Sequence, residues 1–338
     1  MDSSSAPTEK KSCGPAKDLR ISGRRPSWVF LFSLILVAVL LFFVLRGLDW
    51  VALWVTVKSG HYEILFITIP IASINYFIRA LRWSIIVSSE KKTPLLLVFW
   101  ANMVGYMGNA FLPARAGELL RSAYLGRKTG LGTSFVLATA MAERVLDAIA
   151  LVLVGSVSLL CLGNISPWLA NAVRFMALAG TMGLAIIIIA PFQEKLILRI
   201  FRLLPLSLKT SRFISGQITR FLLGMRSLRN GRRLLTFLLL TGIIWLVDAI
   251  GTIIGVRILS QTLNLGQALI LLSALGLSSA IPSTPGYVGV YQFVAVTVLV
   301  PFGFSRVEAL GYILISQVLG YLLFGFWGLL GLWQLGKN

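Results

Sequence analysis

Residues 131–162 read LGTSFVLATAMAERVLDAIALVLVGSVSLLCL. The run exceeds the roughly 20 apolar residues that cross a bilayer as a helix, yet Glu143, Arg144 and Asp147 stand near its middle. A charge at the centre of a membrane helix costs from about 2.5 to over 10 kcal/mol by different measures, so such residues face a cavity or a partner instead of lipid. Helical spacing puts Glu143 and Asp147 on one face and brings Arg144 within pairing reach of Asp147. Two carboxylates and one guanidinium leave a carboxylate for another cation, with Arg79, Arg82, Arg115 and Arg121 as candidates. This stretch therefore predicts a membrane-spanning fold with a polar interior. A purely structural salt-bridge cluster is the simpler alternative.

The rest of the chain agrees. Of its 338 residues, 57% are hydrophobic and 13% charged, about half the charged share of a soluble domain. A formal charge of +19 suits nucleic acid, but the Lys/Arg residues lie in the connections between apolar runs, where the positive-inside rule puts them. Nucleic acid is not an expected partner. Cys13 and Cys161 are expected on opposite faces of the membrane, without a disulfide. One His61 in a loop and two distant cysteines make no metal site. Phosphate loops, nucleotide fingerprints and Ser-His-Asp sets are missing from the sequence, so no metal, cofactor or enzymatic activity is expected.

Working outward from residues 131–162, residues 1–27 form a polar tail predicted to be disordered and cytoplasmic. Trp28–Arg46 reads as a retained first span and not a cleaved signal. Tyr62–Val87 is the next span. Pro94–Leu112 is apolar, stops at Pro113 and passes into a polar-studded piece, 114–128. Pro167–Pro191 follows the charged span. The segment 192–233 then carries ten Lys/Arg against Glu194 alone, and reads as interfacial amphipathic helices or a small cytoplasmic hairpin. Leu234–Ser260, Leu265–Ile281, Pro285–Val300 and Val307–Leu335 complete the apolar runs.

With a cytoplasmic N-terminus, and with both Pro/Gly-broken pieces as hairpins that enter and leave on one side, 25 of the 31 Lys/Arg residues fall inside. Only Arg46, Lys58, Arg257 and Arg306 fall outside. This bias predicts a multi-pass inner-membrane protein with both termini cytoplasmic. The order span, broken hairpin, span then occurs twice with opposite sense, the plan of many transporters. The expected fold is an all-α polytopic membrane protein with about six to eight transmembrane helices and two re-entrant broken hairpins in a pseudo-symmetric inverted repeat. Residues 28–335 form one transmembrane domain, with halves at about 62–162 and 234–335 joined by 163–233. A short echo, aliphatic-Pro-x-x-x-Gly, marks both breaks at Leu112–Gly117 and Ile281–Gly286.

Non-helical backbone at membrane depth is tolerated only where it is buried in protein or lines a polar cavity. Pro113 and Gly117 break one segment; Pro282, Pro285, Gly286 and Gly289 break the other and form a candidate gate. Behind the first break, Arg115, Glu118 and Arg121 follow at spacing that shares a helical face. A helix starting near Ala114 aims its free N–H groups and positive end at the break, a site for anions, and Arg115 adds a fork matched to phosphate oxygens. A cytoplasmic turn meeting lipid headgroups generically is the alternative. The substrate-facing candidates are therefore Arg115, Glu118, Arg121, Glu143, Arg144, Asp147, Arg79 and Arg82. Asp248, Asn109, Thr284 and Tyr287 form a second tier.

Four motifs in order, Asn109–Arg121 (NAFLPARAGELLR), Glu143–Asp147 (ERVLD), Ile281–Gly289 (IPSTPGYVG) and the weaker Arg79–Trp83 (RALRW), resemble the flippase-like transmembrane family named after the membrane part of lysylphosphatidylglycerol synthases. The resemblance covers about residues 28–335. It implies a bacterial or archaeal inner-membrane protein with two re-entrant helices that translocates lipid: aminoacylated phosphatidylglycerol in two-domain members, isoprenoid-linked or hopanoid-type lipids in others. The two-domain synthases carry a soluble aminoacyl-tRNA-dependent transferase after the membrane part. This chain ends at Asn338, so synthase activity is not expected of it.

The sequence thus points to a flippase moving an anionic, polyprenyl-linked or aminoacyl-linked lipid. Its expected partners are membrane lipids, anionic or isoprenoid-phosphate, with a lipid-biosynthetic enzyme and a second copy of the chain as protein partners. An intramembrane lipid-modifying transferase acting on a polyprenyl carrier and a membrane scaffold for a partner enzyme are the alternatives.

Overall fold

The computed structural model describes residues 28–88, 90–112, 115–162, 167–193, 199, 215–216, 219, 221–280 and 285–337. The tail 1–27, much of the basic segment 192–233, and Pro113, Pro282 and Thr284 lie outside the described residues.

Every regular element among the described residues is helical. The helices are α1 (Trp28–Leu45), α2 (Trp50–Lys58), α3 (Leu65–Val87), α4 (Leu95–Phe111), α5 (Ala116–Thr129), α6 (Thr133–Cys161), α7 (Pro167–Ile189), α8 (Gly231–Gly255), α9 (Leu265–Ser278), α10 (Val290–Leu299) and α11 (Arg306–Gly336). Among the described residues, six helical segments are long and apolar enough to cross a membrane, or seven if the bent pair α1–α2 counts as one span. Large apolar side chains cover the outside: Phe66 is 84% exposed, Leu322 66% and Leu329 64%. A water-soluble surface does not present apolar area on this scale, and a hydrocarbon solvent accepts it. The chain is an all-α, multi-pass membrane protein.

The helices fall into two lengths. At 1.5 Å per residue, α5 and α9 reach only about 21 Å, short of the roughly 30 Å hydrocarbon core. Helix α10 itself reaches about 15 Å and is counted among the six only with the turns that flank it, as Pro285–Phe302 (18 residues). These short helices pack as pairs, α4 on α5 and α9 on α10. Each pair lies between long helices in the chain: α3, α4–α5, α6 in the first half, and α8, α9–α10, α11 in the second.

The packing survives exchange of the halves. Helix α4 packs on α11 and α9 on α6; α5 packs on α6 and α10 on α11; α3 packs on α4 and α8 on α9; and α3 and α8 pack on each other. The long helices receive the opposite hairpins through small residues. A Cβ on Gly155 of α6 would meet Ser273 of α9 at 2.9 Å, and one on Gly331 of α11 would meet the Trp100 carbonyl of α4 at 3.1 Å. Small residues let membrane helices approach closely where no hydrophobic effect drives them together.

One helix was not expected from the sequence. The chain bends by 86° between Val37–Leu45 and α2, where Asp49 caps α2 by accepting from the Ala52 N–H at 2.9 Å. Between α2 and α11 lies an almost wholly apolar groove of about 440 Å³, lined by Trp50, Trp54, Tyr62 and Leu322 among others.

Candidate functional site

The first hairpin is held shut backbone to backbone. A Cβ on Gly117 would lie 1.9 Å from the Gly105 carbonyl oxygen and 2.6 Å from the Asn109 nitrogen. No other residue fits there. Just before it, Arg115 caps α5 with φ 55°, ψ 38°, a left-handed conformation that costs a non-glycine residue about 1–2 kcal/mol. Arg115 is therefore not on a shared helical face with Glu118. Its guanidinium turns to the second half, where Nη2 donates to Ser279 Oγ at 3.1 Å and the group sits 5.8 Å over the Tyr287 ring.

The buried charges of the first half form one alternating chain. Arg144 Nε donates to Glu118 Oε1 at 2.8 Å. Glu118 also takes Arg121 Nε at 2.6 Å. Arg121 Nη2 reaches Glu143 at 3.2 Å, and Glu143 takes Arg82 Nη2 at 2.9 Å. Arg82 ends the chain with two bonds to the Asp147 carboxylate. Three arginines meet three carboxylates, so the chain is neutral. Asn102 accepts from Arg121, and the Arg121 guanidinium lies 4.4 Å over Trp83. Arg82, Glu118, Arg121, Glu143 and Asp147 are each under 7% exposed. Taking charges out of water is repaid only when they are paired with good geometry. Every guanidinium here has a carboxylate partner, while Arg82 Nε and Asn102 Nδ2 are buried without a hydrogen-bond partner among the described residues.

The local pairing of Arg144 with Asp147, expected from their spacing, is not formed. Arg144 goes to α5 and Asp147 to α3. A separate ion pair joins the halves: Arg79 of α3 donates to Asp248 of α8, which also accepts from Asn75.

The second break is held by neutral groups. Gly286 has φ +67° and no room for a side chain, since a Cβ would fall 2.2 Å from the Tyr321 hydroxyl oxygen. The Gly286 carbonyl accepts from Tyr321 at 2.7 Å and from Gln317 at 3.0 Å. Gln317 in turn accepts from Gln292, whose own carbonyl oxygen caps the Gly289 N–H at 2.6 Å.

Between the two breaks lies a cavity of about 510 Å³. Both halves line it: Tyr76, Arg79, Tyr106, Asn109, Arg115, Arg144 and Asp147 from the first, and Trp245, Asp248, Ser279, Gly286, Tyr287, Tyr291, Tyr312, Gln317 and Tyr321 from the second. Of the expected site residues, Arg79, Arg115, Arg144, Asp147, Asp248, Asn109 and Tyr287 reach the cavity wall. Arg82, Glu118, Arg121 and Glu143 stand behind it and fix its shape. Gly117 closes the first hairpin, Pro285 is exposed and Gly289 is buried at the start of α10.

The sequence places Tyr106, Tyr287 and Tyr291 near the two breaks, but it does not single out Tyr76, Tyr312 and Tyr321. Six of the chain's eight tyrosines line this cavity. The available signal is on α11, where Tyr312, Ser316, Gly320 and Phe324 recur at four-residue steps and all face the cavity. Among the described residues, no group of three or more His, Cys, Asp and Glu side chains is placed to hold a metal ion.

Neither the curated proteins nor the solved structures give a match. The sequence does match the family described as the lysylphosphatidylglycerol synthase TM region, over residues 30–328. That span holds both hairpins, the buried charge chain and every residue of the cavity wall. With most of its length matched, the chain belongs to the lysylphosphatidylglycerol synthase transmembrane-region family, membrane proteins of lipid metabolism and transport.

Proposed function

We propose that this protein is a lipid flippase of the inner membrane, with both termini cytoplasmic, that passes an anionic headgroup through the cavity between its halves while the lipid tail stays in the bilayer. The observation that carries the reading is Arg115. It is the one cavity arginine with no carboxylate partner among the described residues, and it bridges the two breaks through Ser279 and Tyr287. A guanidinium held this way offers its fork to phosphate oxygens.

The two halves supply what such a carrier needs. The neutral charge chain ties α3, α5 and α6 into one unit, and the Gln292–Gln317–Gly286–Tyr321 bonds tie α10 and α11 into another. An arriving anion competes with Ser279 and Tyr287 for Arg115, which loosens the contact between the breaks and lets one half rock against the other. The three buried carboxylates, Glu118, Glu143 and Asp147, and the partly exposed Asp248 are all engaged by arginines. This supports transport over transferase chemistry, which needs a free general base.

The test is scrambling in proteoliposomes that contain labelled anionic lipids and a polyprenyl phosphate. The wild-type protein is expected to move at least one anionic class faster than protein-free vesicles. Arg115→Ala is expected to cut that rate about tenfold, the loss of one charge-assisted contact, while keeping the wild-type elution profile. Folded wild-type protein that moves no anionic lipid would sink the reading.

A further inference from the structure

The charges around the cavity do not cancel. Arg79 is matched by Asp248, Asp147 by Arg82 and Arg144 by Glu118. Arg115 is matched by none among the described residues. The wall therefore carries one uncompensated positive charge and no uncompensated negative one. An anion of single charge neutralises it. A cationic headgroup finds no free carboxylate: to gain a counter-charge, each ammonium would have to take a carboxylate from an arginine already paired with it, and leave that arginine unpaired.

A second observation concerns the neutral wall. Tyr76 and Tyr106 lie side by side, with ring centroids 6.1 Å apart, and Tyr287 and Tyr291 stack at 4.9 Å beside Arg115. Tyr321 uses its hydroxyl on the Gly286 carbonyl. No hydrogen bond joins the hydroxyls of Tyr76, Tyr106 and Tyr291 to another described residue, and all three line the cavity. Hydroxyls with free donor and acceptor capacity in a polar cavity suit a ligand that carries hydroxyls of its own.

We infer that the cavity selects a phosphodiester lipid whose headgroup has one net negative charge and free hydroxyls, and that it rejects aminoacylated, net-cationic lipids such as lysylphosphatidylglycerol. The inference rests on the flippase reading and narrows its substrate. Selection is by charge at Arg115 and by hydroxyls at the tyrosines, so the two parts fail separately.

The experiment titrates the detergent-purified full chain with three lipids of matched acyl chains and counts bound lipid by native mass spectrometry. The lipids are phosphatidylglycerol (one negative charge, two hydroxyls), phosphatidylmethanol (the same charge, no hydroxyl) and lysylphosphatidylglycerol. Phosphatidylglycerol is expected to bind at least about tenfold more tightly than lysylphosphatidylglycerol, a modest value for a reversed net charge close to one guanidinium. Arg115→Lys should keep that order, and Arg115→Glu should reverse it. Phosphatidylglycerol is expected to exceed phosphatidylmethanol several-fold, with the gap closing in Tyr106→Phe. Equal or tighter binding of lysylphosphatidylglycerol by wild type overturns the charge selection and leaves the cavity as a lipid site. Affinities for all three lipids that ignore both Arg115 variants place binding elsewhere and overturn the cavity reading as well.

Discussion

Glu143 sits between two guanidiniums, Arg82 and Arg121, and is 3% exposed. A neutral amide there would leave both arginines sharing an acceptor of no charge. Removing one partner of a buried ion pair costs about 3–5 kcal/mol. Glu143→Gln is expected to lose stability on that scale, read as a lowered thermal unfolding temperature of the purified protein. Arg144→Gln is expected to lose less, because its side chain is already 34% exposed and Glu118 keeps Arg121. At this scale the sequence told which residues are buried charges but not how they pair. Three charges within five residues on one helix announce a polar interior; their partners are chosen by α3 and α5, which local spacing does not see. Tyr76, Tyr312 and Tyr321 were hidden for a similar reason. A single tyrosine in an apolar helix reads as packing, and only the fold brings six of them to one cavity.

The α4–α5 hairpin depends on an atom that is not there. Gly117→Ala would place a Cβ 1.9 Å from the Gly105 carbonyl, so the two backbones must separate and the hairpin opens. That variant is expected to yield little folded protein on size-exclusion chromatography. Gly242→Ala in α8 is the control: nothing lies within 4 Å of its Cβ, and replacing a helix-interior glycine is expected to be neutral or to stabilise by up to about 1 kcal/mol. Both breaks were legible in the sequence because proline and glycine interrupt an apolar run at membrane depth, a combination with few tolerated causes. The starts of α9 and α11 follow from local chemistry as well. Asn264 with Gln267, and Ser305 with Glu308, form reciprocal capping boxes, the spacing that marks a helix start. Helix α2 was not legible. Its nine residues are too few for a span, and its cap at Asp49 is the only signal.

For the whole molecule, the repeat was visible in the order of runs, while the polar cavity between the halves needed the packing of α3 on α8 to appear. The proposed orientation is open to a direct check. Cys161 is an exposed free thiol at the end of α6, on the side opposite the basic segments in that orientation. In a Cys13→Ser background, a membrane-impermeant thiol reagent is expected to label Cys161 in intact cells. Labelling only after permeabilisation would invert the topology.

The exchange of halves that preserves the packing does not preserve the charge. Arginines and carboxylates hold the first break, and glutamines, a tyrosine and a backbone carbonyl hold the second. In the proposed transport, such unlike ends are expected to load and release an anion at different speeds from the two sides. By detailed balance, that difference sets how fast two leaflets reach equilibrium and never where the equilibrium lies. A lipid asymmetry maintained through this protein therefore draws its free energy from outside the cavity: from an ion gradient, the membrane potential acting on the headgroup's charge, or a reaction that consumes the lipid on arrival.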